Sequence, residues 1–450
     1  MKQMPRVTLV FPPIYDFALY DLHLKPFALL KLARAFEKAG YDVELVNALD
    51  PFDEMTRKAR GAKIKRNARG QGKFYREPAL KPEVLSPVER PFFRYGIIED
   101  SLRAQLEARE PDIILLGSQM TYWYLGVKEA AELIKKIYPR LPLVLGGIYA
   151  SLCPEHAGQN IPADLVVQGE ADRALNQFLE QMGLPLLGPL SDYDFFEGPR
   201  FYYGAAAIRL NQGCPFRCSY CASRLLCTDF KPGNHEKLLG QIKWLADKQG
   251  ARHFSFYDDA LLFKKEDSFL PLLHGLKELN SQRKLCFYLP NAVHLQYLDA
   301  ETARAMVEAG FQEIRLGIES TADDFHNEYD RKLQSRDIRE AIAMLQNCGF
   351  DPWNIGVYLL AGLPGQNWRQ VEASIRTMAP LGVRVHLARY SPVPHTELWE
   401  RSCSLSTYPL ADEPLTHNNT ILPMEHAGFT TENMLFLKNL ALELSQQRPL

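Results

Sequence analysis

Six apolar segments, most of them separated by stretches with helical spacing, constrain the second half of this 450-residue chain more than any other feature. The segments are Phe201–Leu210, His253–Tyr257, Lys284–Leu289, Glu313–Ile318, Ile355–Leu360 and Val383–Ala388. The helical stretches are His235–Lys248, Asp267–Asn280, Asp299–Ala309, Ser335–Asn347 and Trp368–Ala379. Asp299 and Ser335 read as N-caps, Gly310 and Gly349 as C-terminal residues of helices. Strands that alternate with helices predict a parallel sheet with right-handed crossovers, and six such units suit a partial (β/α)6 barrel. In barrels of this kind chemistry gathers at the C-terminal ends of the strands. Asp258 and Asp259 follow the second strand, Glu319 and Ser320 end the fourth, Gly362-Leu-Pro364 follow the fifth, and Ser391–Pro394 follow the sixth.

A cysteine loop follows the first of these strands. In Asn211–Cys221 the thiols of Cys214, Cys218 and Cys221 stand at C-x3-C-x2-C spacing. Three thiolates close neither a tetrahedral zinc site nor all four irons of a [4Fe–4S] cube, which leaves one iron open for a small ligand. The same spacing is compatible with half of a zinc site, with a ferredoxin-type cluster completed by Cys227, or with buried metal-free thiols.

The first third of the chain reads as a second α/β unit. Its strands are Arg6–Phe11, Tyr41–Val46, Asp112–Gly117, Leu141–Gly146 and Ala163–Gln168, with helices over Pro26–Ala39 and Leu125–Ile137. Near-continuous apolar strands between helices indicate a doubly wound, Rossmann-like parallel sheet, which binds ligands beyond its carboxyl edge. The residues at that edge are Pro12-Pro13, Ser118–Tyr122 and Gly146–Ser151. Boundaries follow: residues 1–183 form this domain, 184–200 a proline-, glycine- and acid-rich linker, 201–400 the barrel, and 401–450 a C-terminal extension with a helix over Thr431–Gln446. An insertion of about 56–95 interrupts the first domain. Thr56–Arg76 carries nine Lys or Arg and no acid, while the chain as a whole is at −2. Charge runs of this kind are usually solvated, and that reading is favoured over a basic lid for an anionic substrate. The aromatics Phe74, Tyr75, Phe92, Phe93 and Tyr95 predict that the far end packs.

With 46% hydrophobic and 24% charged residues the composition is that of a globular protein, long enough for two cores. Eight cysteines at irregular spacing do not form a disulfide framework, and an oxygen-sensitive cluster needs a reducing compartment. Neither an apolar leader nor an apolar run long enough to span a membrane is found, so a cytoplasmic location is expected.

Taken with Tyr220 before the third cysteine, the segments Phe256-Tyr-Asp-Asp259, Leu316-Gly-Ile-Glu-Ser320, Ala361-Gly-Leu-Pro364 and Tyr390–Trp399 resemble motifs of the radical S-adenosylmethionine (radical SAM) superfamily. The similarity is to the subgroup with an N-terminal cobalamin-binding-type domain, which Pro111–Leu116, Gly146-Gly147 with Pro154-Glu155, and Val167–Glu170 resemble. The resemblance implies a [4Fe–4S] cluster on Cys214, Cys218 and Cys221, with SAM chelated to the open iron and cleaved reductively to a 5'-deoxyadenosyl radical. It implies that Tyr220 lies along the adenine, that Asp258 or Asp259 meets the SAM amino group, and that Glu319 and Ser320 reach its ribose or methionine end. Arg331 would pair with the SAM carboxylate, and Gly362 would let the backbone approach the adenine. For cobalamin the implied residues are Ser118, Met120, Thr121, Gly146, Gly147, Tyr149, Gly169 and Glu170. The chain departs from the pattern in lacking glycines before Asp258, lacking an Asp-x-His-x-x-Gly motif, and carrying Tyr149 where relatives often have histidine. The implied reaction is methyl transfer or ring-forming rearrangement with cobalamin, or without it a radical modification, RNA included, on an unknown substrate. The electron donor would be a flavodoxin or ferredoxin. An iron–sulfur carrier or sensor, using Cys227 as fourth ligand, and a zinc-dependent binding module are the non-enzyme alternatives.

Overall fold

The computed structural model describes residues 4–61, 63–190, 204–331 and 337–446. The chain divides into two compact units, one of Met1–Asn67, Gln71–Phe201 and Ala411–His417, the other of Ala68–Gly70, Tyr202–Leu410 and Asn418–Leu450. Residues 191–200 of the expected linker, the start of the expected strand from Phe201, and the expected cap Ser335 lie outside the described residues.

Among the described residues the first unit holds a parallel sheet of β1 (Arg6–Phe11), β3 (Asp42–Asn47), β6 (Ile113–Ser118), β7 (Leu143–Gly147) and β8 (Leu165–Val166), in the order β3-β1-β6-β7-β8. In β1 and β6 nearly every residue is buried, on both faces, because helices cover each side. The order reverses between β1 and β6, and a doubly wound sheet opens its ligand crevice at such a switch point. The last strand is shorter than the apolar run Ala163–Gln168 suggests: it pairs only with β7, its residues are half exposed, and Gly169, at φ 64°, turns the chain soon after it.

A second sheet escapes sequence reasoning. Ile14–Asp16 (β2), Arg76–Pro78 (β4) and Phe93–Tyr95 (β5) pair antiparallel in the order β2-β5-β4, and strands of three residues show no periodicity. The basic insertion is anchored at a few points, while Arg57, Lys58, Arg60, Lys63, Lys65, Lys73 and Arg76 stay exposed, as the favoured reading expects. Its helix Glu54–Arg60 is capped by Asp53 and buries Thr56 completely. Further along, Arg66 forms a buried pair with Asp21 at 2.6 Å, and Arg94 grips Glu129 with Nε and Nη2. Phe74, Tyr75, Phe92 and Tyr95 pack as expected.

The second unit is a partial barrel of six parallel strands in sequence order: β9 (Ala205–Ile208), β10 (His253–Phe256), β11 (Cys286–Tyr288), β12 (Phe311–Glu319), β13 (Ile355–Ala361) and β14 (Arg384–Arg389). Phe256, Phe287 and Phe311 on adjacent strands form ring contacts with one another and, for Phe256 and Phe311, with Phe269 of the helix Phe269–Asn280. The alternate residues of the strands therefore face the barrel interior. Asp299 caps its helix by accepting from the Thr302 amide, and Gly310 and Gly349 take positive φ just past theirs. The helix expected from Ser335 is described from Ile338 and capped by Asp337. Thr431–Gln446 is helical as expected and packs on β14. Among the described residues no helix is long and apolar enough to cross a membrane.

Candidate functional site

Parallel register fixes the base of the cysteine loop. Phe256 pairs with Ile208, so two residues on Asp258 comes level with Leu210. Its carboxylate accepts from the Leu210 amide at 3.0 Å and the Asn211 amide at 2.5 Å. The Asn211 side chain accepts in turn from the Gly233 amide and the Ser268 hydroxyl, each at 3.1 Å. Gly213, at φ 80°, carries the chain past Asp229, whose carbonyl oxygen would lie 2.5 Å from an added Cβ.

The loop is also held at its far end. The Ser219 amide donates to the Tyr329 carbonyl at 2.8 Å, and the Ser219 carbonyl accepts from the Leu398 amide at 3.1 Å. Between these anchors Cys214 is buried and Cys218 half-buried, and Cys221, two residues past Ser219, is exposed. Cys218 Sγ lies 3.8 Å from the Asp330 carbonyl, and Cys221 Sγ 3.3 Å from the Ser223 hydroxyl. Cys227 is buried and directs its thiol at the Asp229 carbonyl, 3.2 Å away. None of the eight cysteines is in a disulfide. Three soft thiols within eight residues are donors of the kind an iron–sulfur cluster takes, although among the described residues no three such side chains converge closely enough to hold a metal.

The two aspartates after β10 differ. Asp258 is buried, and burial pushes its carboxyl up to about 7 against the two amides and Arg209, which pull it down. Asp259 is exposed, and its carboxyl is raised by burial within the surrounding protein with Arg209 opposing. Asp258 therefore supports the cysteine loop.

At the end of β12 the register slips between Gly317 and Glu319, and Glu319 is a non-glycine residue at φ 61°. A strained backbone of this kind persists where its surroundings over-determine it. Ser320 is buried and engaged: its hydroxyl accepts from the Ala322 amide and its carbonyl from His326 Nε2 at 2.9 Å. The other nitrogen of His326 faces Asp330 at 3.0 Å, so both ring nitrogens meet acceptors. Burial opposes the imidazolium, but the bond and charge of Asp330 outweigh it and raise the pKa. Sequence reasoning missed this pair, although His326 and Asp330 stand at i,i+4 spacing. Tyr220 packs on the apolar cluster of Phe325, Leu360, Leu363 and Tyr390, and burial beside Glu319 and Cys218 raises its phenol far above the ordinary value. Gly362, at φ 88°, donates its amide to Gln366 Oε1 at 2.7 Å. Arg331 is set apart, at the surface in an ion pair with Glu397.

In the first unit the sequence-chosen residues divide. Ser118 ends β6 and donates to the Gly146 carbonyl at 2.8 Å. Gly147, at φ 105°, runs so close that an added Cβ would lie 2.1 Å from the Ser118 carbonyl oxygen. Around Gly146 and Gly169 an added Cβ would meet nothing within 4 Å, and Met120 is exposed. Thr121 is turned inward to His417 Nδ1 at 2.9 Å. Tyr149 has no exposed surface: its hydroxyl meets His156 Nδ1 at 2.7 Å and its ring stacks on Tyr124. It serves packing and has no face to offer a ligand. Glu170 is exposed beside Gly169, whose amide donates to Ser151 Oγ at 3.0 Å.

Residues 208–378 match the radical SAM superfamily profile, and residues 91–179 match the B12 binding domain. An uncharacterized methyltransferase of Pyrococcus horikoshii is 21% identical over 357 residues, covering 72% of this chain and 73% of the relative. The anaerobic magnesium-protoporphyrin IX monomethyl ester cyclase of Cereibacter sphaeroides is 19% identical over 287 residues, 56% of this chain and 47% of that one, so the chain spans about half of that relative's length. Among solved structures, the radical SAM methyltransferase TsrM from Kitasatospora setae, with cobalamin and a [4Fe-4S] cluster bound, aligns with a TM-score of 0.66 at 15% identity, covering 90% of this chain and 80% of that one. The chain therefore carries a radical SAM domain over residues 208–378 and, ahead of it in the sequence, a B12-binding domain over residues 91–179.

Proposed function

We propose that this enzyme uses cobalamin together with SAM to transfer a methyl group to its substrate. The observation that carries the reading is the cysteine loop, held at Asn211 and Ser219, with its three thiols at the C-terminal end of a barrel strand. When bound, the cluster supplies a low-potential electron that cleaves SAM to a 5'-deoxyadenosyl radical, and cobalamin supplies a methyl carrier. The chain's own residues hold and orient these groups. Cys214, Cys218 and Cys221 are the cluster ligands, and Asp258 keeps the loop's base in place. Asp259 is the acceptor for the SAM amino group, Tyr220 supplies an apolar wall for the adenine, Glu319 faces the ribose or methionine end, and Gly362 leaves the backbone bare beside it. Ser320 acts through the backbone by fixing His326. Arg331, committed to Glu397 at the surface, is the weakest of these assignments.

For cobalamin, the open edge at Gly146 and Gly169 suits a broad planar ligand, since no side chain projects there, with exposed Met120 offering an apolar contact and buried Ser118 holding the Gly146 carbonyl. His156 is turned to Tyr149 and offers no imidazole to a metal. The named relatives include a methyltransferase and a cyclase, which supports methyl transfer first and ring formation second. Division of labour follows the sequence boundaries except for Ala68–Gly70 and Ala411–His417: residues 1–183 serve cobalamin, 201–400 radical generation, and the rest of 401–450 closes the barrel. A flavodoxin or ferredoxin is the reductant, and the cytoplasm provides the reducing surroundings the cluster requires.

The test is anaerobic purification from cells supplied with cobalamin, with assay of iron, sulfide, cobalamin and SAM-derived products. About four irons per chain, stoichiometric cobalamin, and both 5'-deoxyadenosine and S-adenosylhomocysteine are expected. Cluster and 5'-deoxyadenosine without cobalamin would leave a radical enzyme and defeat the methyl-transfer reading.

A further inference from the structure

The interior of the barrel carries positive charge that its own carboxylate does not match. Glu313 on β12 is almost fully buried, with a side chain 5% exposed, and three guanidinium groups share it. Arg69 Nη1 lies 2.9 Å from one oxygen, Arg384 Nη2 of β14 3.6 Å from the same oxygen, and Arg315 Nη2 of β12 3.5 Å from the other. Among the described residues neither Arg315 nor Arg384 enters another ion pair. Arg315 also donates to the Tyr358 hydroxyl, which donates to the Pro290 carbonyl at 3.0 Å, and Arg384 lies over the Trp353 ring at 5.6 Å.

Register brings these groups onto one face. Arg315 pairs with Gly356 and Gly356 with Arg384, so a glycine separates the two arginines across the sheet, and one step on Tyr358 pairs with His386. An added Cβ at Gly356 would stand 3.1 Å from His386 Nε2 and 3.2 Å from Arg315 Cγ, so these two side chains converge over the bare glycine. Three donor-capable nitrogens are buried there without a hydrogen-bond partner: Arg315 Nε, Arg384 Nε and His386 Nε2. Buried charge left uncompensated costs several kcal/mol, and buried polar atoms normally find partners. Burial and the two arginines hold His386 neutral, at about 4.

We propose that Arg315, Arg384 and His386 bind an anionic group of the substrate, a carboxylate or phosphate, inside the barrel. Planar guanidinium forks match both groups bidentately, and an anion there would complete the charge around Glu313. The proposal rests on the barrel being the reaction chamber, and it gives the substrate class: a molecule with a carboxylate or phosphate anchored away from the carbon to be modified.

Inorganic phosphate and succinate serve as probes on the full-length holoenzyme, read by thermal stability and by Trp353-sensitive fluorescence against chloride at matched ionic strength. Saturable stabilisation by either is expected, with phosphate or succinate preference separating the two sources. Arg384→Gln and Arg315→Gln should each weaken it tenfold or more, while Arg376→Gln, a surface control paired with Glu372, should leave it unchanged. Glu313→Gln, which frees the guanidiniums, should bind the probe more tightly even if less stable alone. Stabilisation no greater than that of chloride, or binding indifferent to Arg315 and Arg384, overturns the proposal. Formation of 5'-deoxyadenosine from SAM is followed in parallel, so that loss of radical chemistry and loss of the anion site are told apart.

Discussion

The carboxyl edges of the two sheets are built to opposite plans. At the barrel edge, buried polar groups are spent on a loop: Asp258, Asn211 and Ser268 lie beneath the cysteines, and His326 with Asp330 lies beside them. At the edge of the first unit the aromatic groups turn inward on one another, Tyr149 with Tyr124 and His156, and what remains exposed includes Gly169, Glu170 and Met120. One edge advertises its ligand by the donors it holds out. The other is recognised only by what it withholds, and this is why a cluster site can be named from side chains while a cobalamin site must be inferred from bare backbone.

The largest effect expected is all-or-none. Replacing Cys214, Cys218 or Cys221 with Ala should abolish cluster iron and 5'-deoxyadenosine formation, whereas Cys227→Ala should retain both. Loss of iron in Cys227→Ala would make the barrel edge a closed four-cysteine site and remove the contrast with an open one. Next comes the glycine pair of the first unit. Gly147→Ala combines a positive φ with a clash on the Ser118 carbonyl and should cost roughly 3 kcal/mol or more in denaturant unfolding. Gly146→Ala meets open space and should barely change stability, so a fall in retained cobalamin there would locate the ligand on that edge.

Asp258→Asn sharpens the barrel side. It replaces one of two acceptors by a donor facing an amide, at a cost of about 1–3 kcal/mol, and should quicken hydrogen exchange at Leu210 and Asn211. Because burial raises the folded pKa from 3.8 to about 7, the native state keeps its proton longer than the unfolded chain. Wild-type stability should therefore fall as pH rises between those values, and the variant should lose that slope.

The two histidines pull in opposite directions. His326 is raised above 6.5, so its contribution is full below that pH and is lost as pH climbs through the folded value. His156, held down by burial and Lys128, contributes above 6.5 and is lost as pH falls. Alkali should thus loosen segment 320–331 and acid segment 149–160 in hydrogen exchange; movement of both in the same direction would break the comparison. The smallest effect is Tyr149→Phe, about 1 kcal/mol for the bond to His156, with retained cobalamin unchanged because the hydroxyl faces inward.

Much of the barrel was legible because its signals are local. Strand–helix alternation, the Asp299 cap and the glycines at 310 and 349 all act within a few residues. What stayed hidden depends on partners far apart in the chain. That Asp258 would face the loop instead of a ligand follows from β9–β10 register, and neither residue announces it. The basic stretch from Thr56 reads as solvated, and only Arg66 and Arg69 depart from that, drawn in by Asp21 and Glu313. Tyr149 was chosen by its place after two glycines, a position that says nothing about which way the ring turns. The strands β2, β4 and β5 are too short to carry a pattern.

The interleaving of the two units also bears on how the polypeptide is made. Ala68–Gly70 belongs with the barrel unit, and Ala411–His417 belongs with the first, where His417 meets Thr121 and Glu413 meets Tyr124. Chains fold largely as they leave the ribosome, N-terminal domain first. Here the first unit waits almost 300 residues for His417 to reach Thr121. Its last buried contacts form after every barrel strand has been synthesised, so the two units finish folding at nearly the same moment, and a chain stalled between them leaves both incomplete.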